Sequence, residues 1–210
     1  MDYRELFKSC GENVVIENNV FIEHPERIEV GDNVRLMANF YMIGAPEVCR
    51  LGNNVTFFPN SFIQGSPSRF VIGNNVGFYP GTYISCGDGA GAFVEVGHTS
   101  HFAAGCALYG GGGLSIGNHC NIAAHTVFAS VQHDDNVLDR PMSATGISGP
   151  ITLEDDVWIA ANVTIGMNTR IARGCVIGAN AVVLRDTRPM GVYVGAPARR
   201  LRNRGERKPR

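Results

Sequence analysis

The sequence predicts an all-β fold: a parallel β-coil of about eight triangular rungs with one long extruded loop and short terminal appendages. Three observations lead there. First, a six-residue unit recurs: an aliphatic residue, often glycine next, two polar residues, a small or β-branched residue and a variable one. Examples are "VGDNVR" from Val30, "LGNNVT" from Leu51, "IGNNVG" from Ile72, "IGNHCN" from Ile116 and "IGANAV" from Ile177. Second, three such hexads join into a larger unit, whose leading residues fall at Cys10, Val30, Leu51, Ile72, Val96, Ile116, Leu153 and Ile171. Third, leaders inside a unit follow at steps of six, whereas the step from a third leader to the next unit varies from 6 to 25 residues. Every insertion therefore leaves from one edge of the coil.

The elements follow in order from this register. Residues 1–9, with "DYRELF", are expected to cap the first rung as a short helix. Residues 10–188 form the coil. Each hexad supplies one short strand, with its leader pointing inward and its small fifth residue tucked beside a corner. Asn and Gly dominate the corners because they adopt positive φ at little cost. Rungs stack at about the 4.8 Å strand spacing, which gives a prism roughly 35–40 Å long. "GDGAG" (87–91) and "GGGG" (110–113) emerge at the variable corner. Neither carries GxxxxGK[ST] or a following helix, so both read as tight edge loops that neighbour the longest insertion. That insertion, 129–150, is polar and turn-rich and holds a single histidine, His133. The hexad register resumes at Leu153 as if nothing had intervened, so the loop is no linker between domains.

Residues 189–210 form a C-terminal segment with a basic tail. Residues 199–210 hold seven Lys/Arg and one Glu, a charge of +6, which leaves −7 on the first 198 residues of a chain whose net charge is −1. The tail reads as a solvated, frayed terminus; without interleaved aromatic residues it does not point to nucleic acid. The start of the chain has no basic segment followed by an apolar one, and no apolar run is long enough to span a membrane. A cytoplasmic location without membrane insertion is the expectation. The six cysteines show no CxxC or zinc-ribbon spacing, and Cys106, Cys120 and Cys175 occupy slots held elsewhere by Val, Thr or Ala. They are expected to be small buried thiols.

The C-terminal half, "GPITLEDDVWIAANVTIGMNTRIARGCVIGANAVVLRD…GVYVGAPARRLR", resembles the hexapeptide-repeat acyltransferases, in particular the branch of maltose, galactoside, nodulation and surface-polysaccharide O-acetyltransferases. The resemblance implies a left-handed parallel β-helix, although the usual crossover rule favours the opposite hand. It also implies acetyl-CoA as co-substrate, a carbohydrate acceptor, no metal, and a homotrimer with active sites between subunits. "VWIA" stands where Gly often follows the Ile, and "VLRD" replaces the commoner "VTKD"; no N-terminal sugar-contact motif of the maltose or galactoside enzymes is present, so the acceptor is not carried over.

In the resembling enzymes the catalytic histidine sits at the place of His133, which makes His133 the expected general base, suited by an ordinary pKa near neutrality. Asp134, Asp135 or a backbone carbonyl is the candidate partner for its ring. Trp158 occupies an outward sixth position, and the equivalent Trp of those enzymes lies beside the cofactor and acceptor cleft. Ala160, Ala161 and Ala179 are small enough for an extended pantetheine arm to lie against the strand backbone. Arg185, Arg199 and Arg202 match basic positions that approach the nucleotide phosphates, a task suited to guanidinium forks. No GxSxG motif suggests an acyl-enzyme. His119 and His125 fall at corner positions, with His98 level with Asn118 and His101 level with Asn121, so no zinc-binding column is expected. The competing readings are an N-acetyltransferase of an amino or nucleotide-linked sugar, a xenobiotic acetyltransferase, a non-catalytic scaffold, and a zinc hydratase of the carbonic anhydrase type.

Overall fold

The structure, a computed structural model, describes residues 3–44, 46–65, 69–87 and 91–206. Within them the chain visits three parallel sheets in rotation. Sheet A runs from Ser9–Cys10 to Thr169–Ile171 and sheet C from Phe21–Ile22 to Val182–Val183, each with eight strands among the described residues. Sheet B begins at Val15–Ile16 and continues past Val176–Ile177 through Gly191–Val194 to Arg199–Asn203. This is the left-handed parallel β-helix of about eight coils, with almost no helix. A three-residue 3-10 turn, Tyr3–Glu5, and the buried Phe7 close the first rung.

The expected leaders stack on one another rung after rung. On sheet A, Cys10 pairs with Val30, Val30 with Leu51, Leu51 with Ile72, and Ile72 with Val96. The register holds across the longest insertion, where Ile116 pairs with Leu153. The side chains inside therefore form columns. On sheet B, Phe57, Phe78 and Phe102 stack with ring centroids 4.7 and 4.8 Å apart, and Phe40 tilts against Phe57 at 5.1 Å. All four rings are buried. Ring pairs of this kind contribute about 0.5–1.5 kcal/mol each beyond the area they bury.

The corners explain the Asn-rich sequence. Between sheets A and B the positive-φ position is filled in turn by Asn13, Asn33, Asn54, Asn75, Thr99, His119, Asp156 and Gly174. Thr99 is the misfit, since a β-branched side chain at φ 58° crowds its own backbone. Thr99→Asn should raise stability by about 1 kcal/mol, or roughly 2–4 °C in a thermal melt; an unchanged or lower midpoint would show that the corner tolerates the branch. The preceding corner residue builds a second ladder, in which the side chain of one rung accepts the backbone N–H of the rung before it. Asn53 Oδ1 accepts from Asp32, Asn74 Oδ1 from Asn53, and Asn118 Oδ1 from His98, each at 2.8 Å. His98 takes its turn with Nδ1, accepting the Asn74 N–H at 2.9 Å. That accounts for His98 as a corner residue.

All the long connections leave from the corner between sheets C and A, as the register requires. Residues 88–90 of "GDGAG" lie outside the described residues. The "GGGG" segment packs at the base of the long loop: the Gly112 N–H donates to Ser130 Oγ at 2.9 Å, and the Gly149 N–H donates to the Ser130 carbonyl at 3.0 Å. A side chain at Gly112 would meet Gly149 and Ser130 backbone atoms at 2.5 Å, so glycine is required where the loop's two ends rejoin the coil.

Two expectations about the C-terminus change. Gly191–Val194 continues sheet B in parallel beyond residue 188, pairing with Val176–Ile177. The start of the tail is a strand rather than a frayed end, because Arg199–Asn203 folds back antiparallel on Gly191–Val194. Arg204 then pairs with Asp156 at 2.8 Å, an exposed contact of modest energy that holds the tail over the corner beside Trp158. Residues 207–210 lie outside the described residues. The cysteines are as expected: Cys49, Cys86, Cys106, Cys120 and Cys175 are buried and unpaired in disulfides. Burial pushes the Cys86 thiol up to about 12 and those of Cys106 and Cys120 to about 11, which removes thiolate reactivity near neutral pH.

Candidate active site

The long loop is an arm with its own secondary structure. Val131–His133 pairs antiparallel with Gly146–Ser148, and His133 stands opposite Gly146 at the end of this two-stranded ribbon. Beyond it the chain turns: the Asp134 carboxylate accepts from the Asn136 N–H at 3.0 Å and from its Nδ2 at 2.9 Å. Those two bonds hold the Asp134 carboxyl below the usual carboxylate range. Asp135 accepts only a long contact from Asn136 Nδ2 at 3.4 Å. Both carboxylates thus serve the turn, and among the described residues no group bonds the His133 ring. The imidazole is exposed at the tip of a tethered arm, where its nitrogens are open to an incoming proton donor.

Trp158 lies elsewhere on the coil. It points outward from sheet B with 51 % of its surface exposed, paired with Asn121 on one rung and Val176 on the next. The arm leaves from the corner between sheets C and A, which is the corner opposite sheet B. The arm's root and Trp158 thus belong to different parts of the rung, a corner and the sheet opposite it.

Ala160, Ala161 and Ala179 sit at the corner between sheets B and C, on the two rungs that follow the arm. Stacked backbone bonds place them: the Ala160 N–H donates to the Ile177 carbonyl at 2.9 Å and the Asn180 N–H to the Ala161 carbonyl at 3.0 Å. Ala103, Ala104, Ala123 and Ala124 occupy the same corner on earlier rungs, whereas Phe58 and Tyr79 fill it before them. Small side chains therefore line this corner over its C-terminal half, up to the Phe58–Tyr79 ring stack, with centroids 4.5 Å apart.

The three predicted arginines divide. Arg185 and Arg199 line one cleft of ≈ 340 Å³ at the C-terminal end of the coil, floored by Val183, Tyr193 and Ala198. The segment with the cis Ala196–Pro197 peptide lies over the last rung of sheet C, where the Ala198 N–H donates to the Val182 carbonyl at 2.8 Å, and so aims Arg199 into that cleft. Arg202 is not among the cleft's residues; it is level with Val192 on the outer side of sheet B. Arg200, which sequence reasoning missed, takes its place in the cleft. The signal was the doublet "RR" at 199–200, but an irregularity in strand register between Val192 and Tyr193 decides which arginines reach the cleft.

The remaining histidines are accounted for by the coil, His24 among them, at φ 59° ahead of the 3-10 turn Pro25–Arg27 and 3.1 Å from the Glu26 carboxylate. His119 and His125 hold positive-φ corners, and His101 projects from sheet B level with Asn121. Among the described residues no three His, Cys, Asp or Glu side chains gather as a metal-binding group.

Comparison with known proteins agrees with this architecture. Residues 150–185 match the family described as bacterial transferase hexapeptide (six repeats). A probable acetyltransferase of Mycobacterium tuberculosis is 32 % identical over 92 residues, covering 43 % of this chain and 31 % of that protein. The galactoside O-acetyltransferase of Escherichia coli is 35 % identical over 89 residues, 35 % of this chain and 44 % of that protein. The chain thus spans less than half the length of these relatives. Among solved structures, a UDP-N-acetylglucosamine acyltransferase from Campylobacter jejuni superposes with a TM-score of 0.75 over 93 % of this chain and 71 % of that one, at 18 % identity. An N-acyltransferase from Bacillus cereus, in complex with dTDP and coenzyme A, superposes at 0.58 over 96 % and 87 %, at 24 % identity. At such identities the superpositions establish the fold. The expected resemblance to hexapeptide-repeat acyltransferases, sugar O-acetyltransferases among them, is real and strongest in the rungs that follow the arm.

Proposed function

We propose that this hexapeptide-repeat chain is an acetyl-CoA-dependent O-acetyltransferase that acts on a sugar hydroxyl, with His133 as general base. The observation that carries the reading is the arm: a short ribbon that presents an unpartnered imidazole, rooted directly before the Trp158 rung. Arg185, Arg199 and Arg200 offer three cations to the nucleotide phosphates in the C-terminal cleft, against the single carboxylate of Asp186, which accepts the Arg170 N–H. Ala160, Ala161 and Ala179 leave their corner open to the pantetheine arm, whose amides match backbone groups there. Arg202 is the weakest member of the set, and Trp158 provides an apolar wall.

The chemistry needs no further group. A nitrogen of neutral His133 takes the hydroxyl proton as the sugar oxygen attacks the thioester carbonyl carbon. The tetrahedral oxyanion collapses, the C–S bond breaks, and the imidazolium returns its proton to the departing thiolate. As the resemblance implies, the complete site is formed between copies in a homotrimer, with the arm of one, rooted at the corner opposite its own sheet B, reaching the alanine corner of the next.

A second reading keeps the donor and changes the acceptor to the amine of a nucleotide-linked sugar. It is favoured by the fold likeness to the Bacillus cereus N-acyltransferase. The zinc hydratase loses support, since His119 and His125 have backbone reasons for their places.

Saturating acetyl-CoA should stabilise the protein, by about 2.7 kcal/mol at a hundredfold excess over Kd. Free thiol should appear only when the right acceptor is added. A thermal melt unmoved by saturating acetyl-CoA removes the acyltransferase reading; release with amino sugars but not with hydroxyl acceptors selects the second one.

A further inference from the structure

The two ends of the coil differ in charge. Residues 3–30, around the first rung, hold six acidic side chains against Arg4, Lys8 and Arg27. Residues 184–206, around the last rung, hold six arginines against Asp186 and Glu206, and three more Lys/Arg follow in the sequence. The carboxylates near this basic end are occupied: Glu154 pairs with Arg170, Asp156 pairs with Arg204, and Asp186 accepts the Arg170 N–H at 2.8 Å. Arg185 and Arg188 are exposed and, among the described residues, in no ion pair. The same end is apolar at all three corners. Leu184, just past the last strand of sheet C, is 57 % exposed. Met190, which follows Gly174 in the positive-φ column between sheets A and B, is 46 % exposed, and Val194, at the corner between sheets B and C, 37 %. Leu201, 46 % exposed, stands between Arg200 and Arg202 on the outermost strand.

We propose that the C-terminal end of the coil docks on an anionic lipid bilayer. Aliphatic side chains set among arginines suit a bilayer interface: the apolar groups enter the headgroup boundary, and the guanidinium groups meet lipid phosphates. Charge complementarity selects this end. The first rung also exposes apolar side chains, Leu6, Val15 and Phe21, yet its acidic excess repels such a surface. The last rung keeps its own bonds while it makes the contact. The Arg188 N–H donates to the Tyr193 hydroxyl at 2.7 Å, and the Met190 N–H donates to the Arg173 carbonyl at 2.9 Å. Both residues are thus held through their backbones, which leaves their side chains to the headgroups.

Nucleic acid is the other polyanion of matching sign, and the apolar corners disfavour it. Single strands are held by bases stacked on aromatic side chains, and the only aromatic residue of 184–206 is Tyr193, which is buried. On a nucleic acid the exposed aliphatic groups stay against water and phosphate, whereas a bilayer covers them.

The proposal does not rest on the reaction proposed above, and its test uses Arg188 and Met190, which lie outside the cleft assigned to the nucleotide phosphates. In flotation the full chain should rise with vesicles of equimolar phosphatidylcholine and phosphatidylglycerol, and stay behind with phosphatidylcholine alone. Raising the salt to about 1 M, where the Debye length falls to about 3 Å, should release most of it. Arg188→Gln should weaken vesicle binding about fivefold and Arg188→Glu about 25-fold, the factors for one and two charges at such a surface. Met190→Asn removes the aliphatic side chain and suits the positive φ of its corner. It should weaken binding without lowering the thermal midpoint. Arg27→Gln, at the acidic end, should bind as the native chain does. The proposal is overturned if the native chain floats with neither vesicle or equally with both, or if Arg188→Glu or Met190→Asn floats like the native chain. It is also overturned if a duplex oligonucleotide binds the native chain and Met190→Asn equally, and as tightly as the charged vesicles do. Thiol release reads the proposed reaction separately: transfer without flotation removes the bilayer contact alone, and flotation without transfer removes the reaction alone.

Discussion

His133→Ala should lower the acetyl-transfer rate by about 10²–10⁴ while leaving the melting temperature and the KM for acetyl-CoA nearly unchanged. Among the described residues nothing bonds the ring, which is exposed at the end of the arm's ribbon, so its loss leaves no cavity and no orphaned partner there. Stability and activity therefore separate at this residue, a test that few buried catalytic groups allow. His133→Gln, of similar size but without a basic nitrogen, should be as slow as alanine. If either variant keeps more than a tenth of the native rate of thiol release, proton removal lies elsewhere. Mixing His133→Ala with Trp158→Ala should recover part of the activity, since mixed assemblies contain some sites built from one intact half of each.

The largest expected effect on stability comes from the centre of the stacked core. Phe78 is fully buried, with Phe57 on one side at 4.7 Å and Phe102 on the other at 4.8 Å. Phe78→Ala should cost about 3–5 kcal/mol. In a chain of this size that is a fall of roughly 6–20 °C in the melting midpoint. The cavity has little chance to collapse, because the rungs above and below are held at strand spacing by their own backbone bonds and cannot settle into the gap. Phe78→Leu should recover more than half of the loss. A drop below 1 kcal/mol for alanine, measured by denaturant titration, would mean that the coil can repack across rungs.

What could be read in the sequence and what could not divide along physical lines. The leaders were legible because each is buried against the same position one rung away, which forces a period of six that survives even the jump from Phe128 to Leu153. The variable corner was legible for the complementary reason, since insertions there disturb no stacked position. Two short elements were not legible. Val131–His133 and Arg199–Asn203 each pair with only one neighbour and bury little, so no apolar alternation marks them. The left hand came from family likeness and not from any pattern in the residues. Within the site, His133, Trp158 and the alanines could be placed on the coil from register alone. The exchange of Arg202 for Arg200 could not, because it follows from an irregular pairing at Tyr193 that has no sequence marker.

The crowding of every long connection at the corner between sheets C and A has a consequence for which insertions the coil can absorb. At the other two corners one added residue would shift the next leader off its column, so added length there costs stacked contacts. At the third corner a loop can lengthen, shorten or be replaced and the next rung still finds its register, as it does after residues 129–150. The coil thereby keeps one edge that can be rebuilt while the stacked core stays the same, and under the proposed function that is the edge from which the His133 arm leaves.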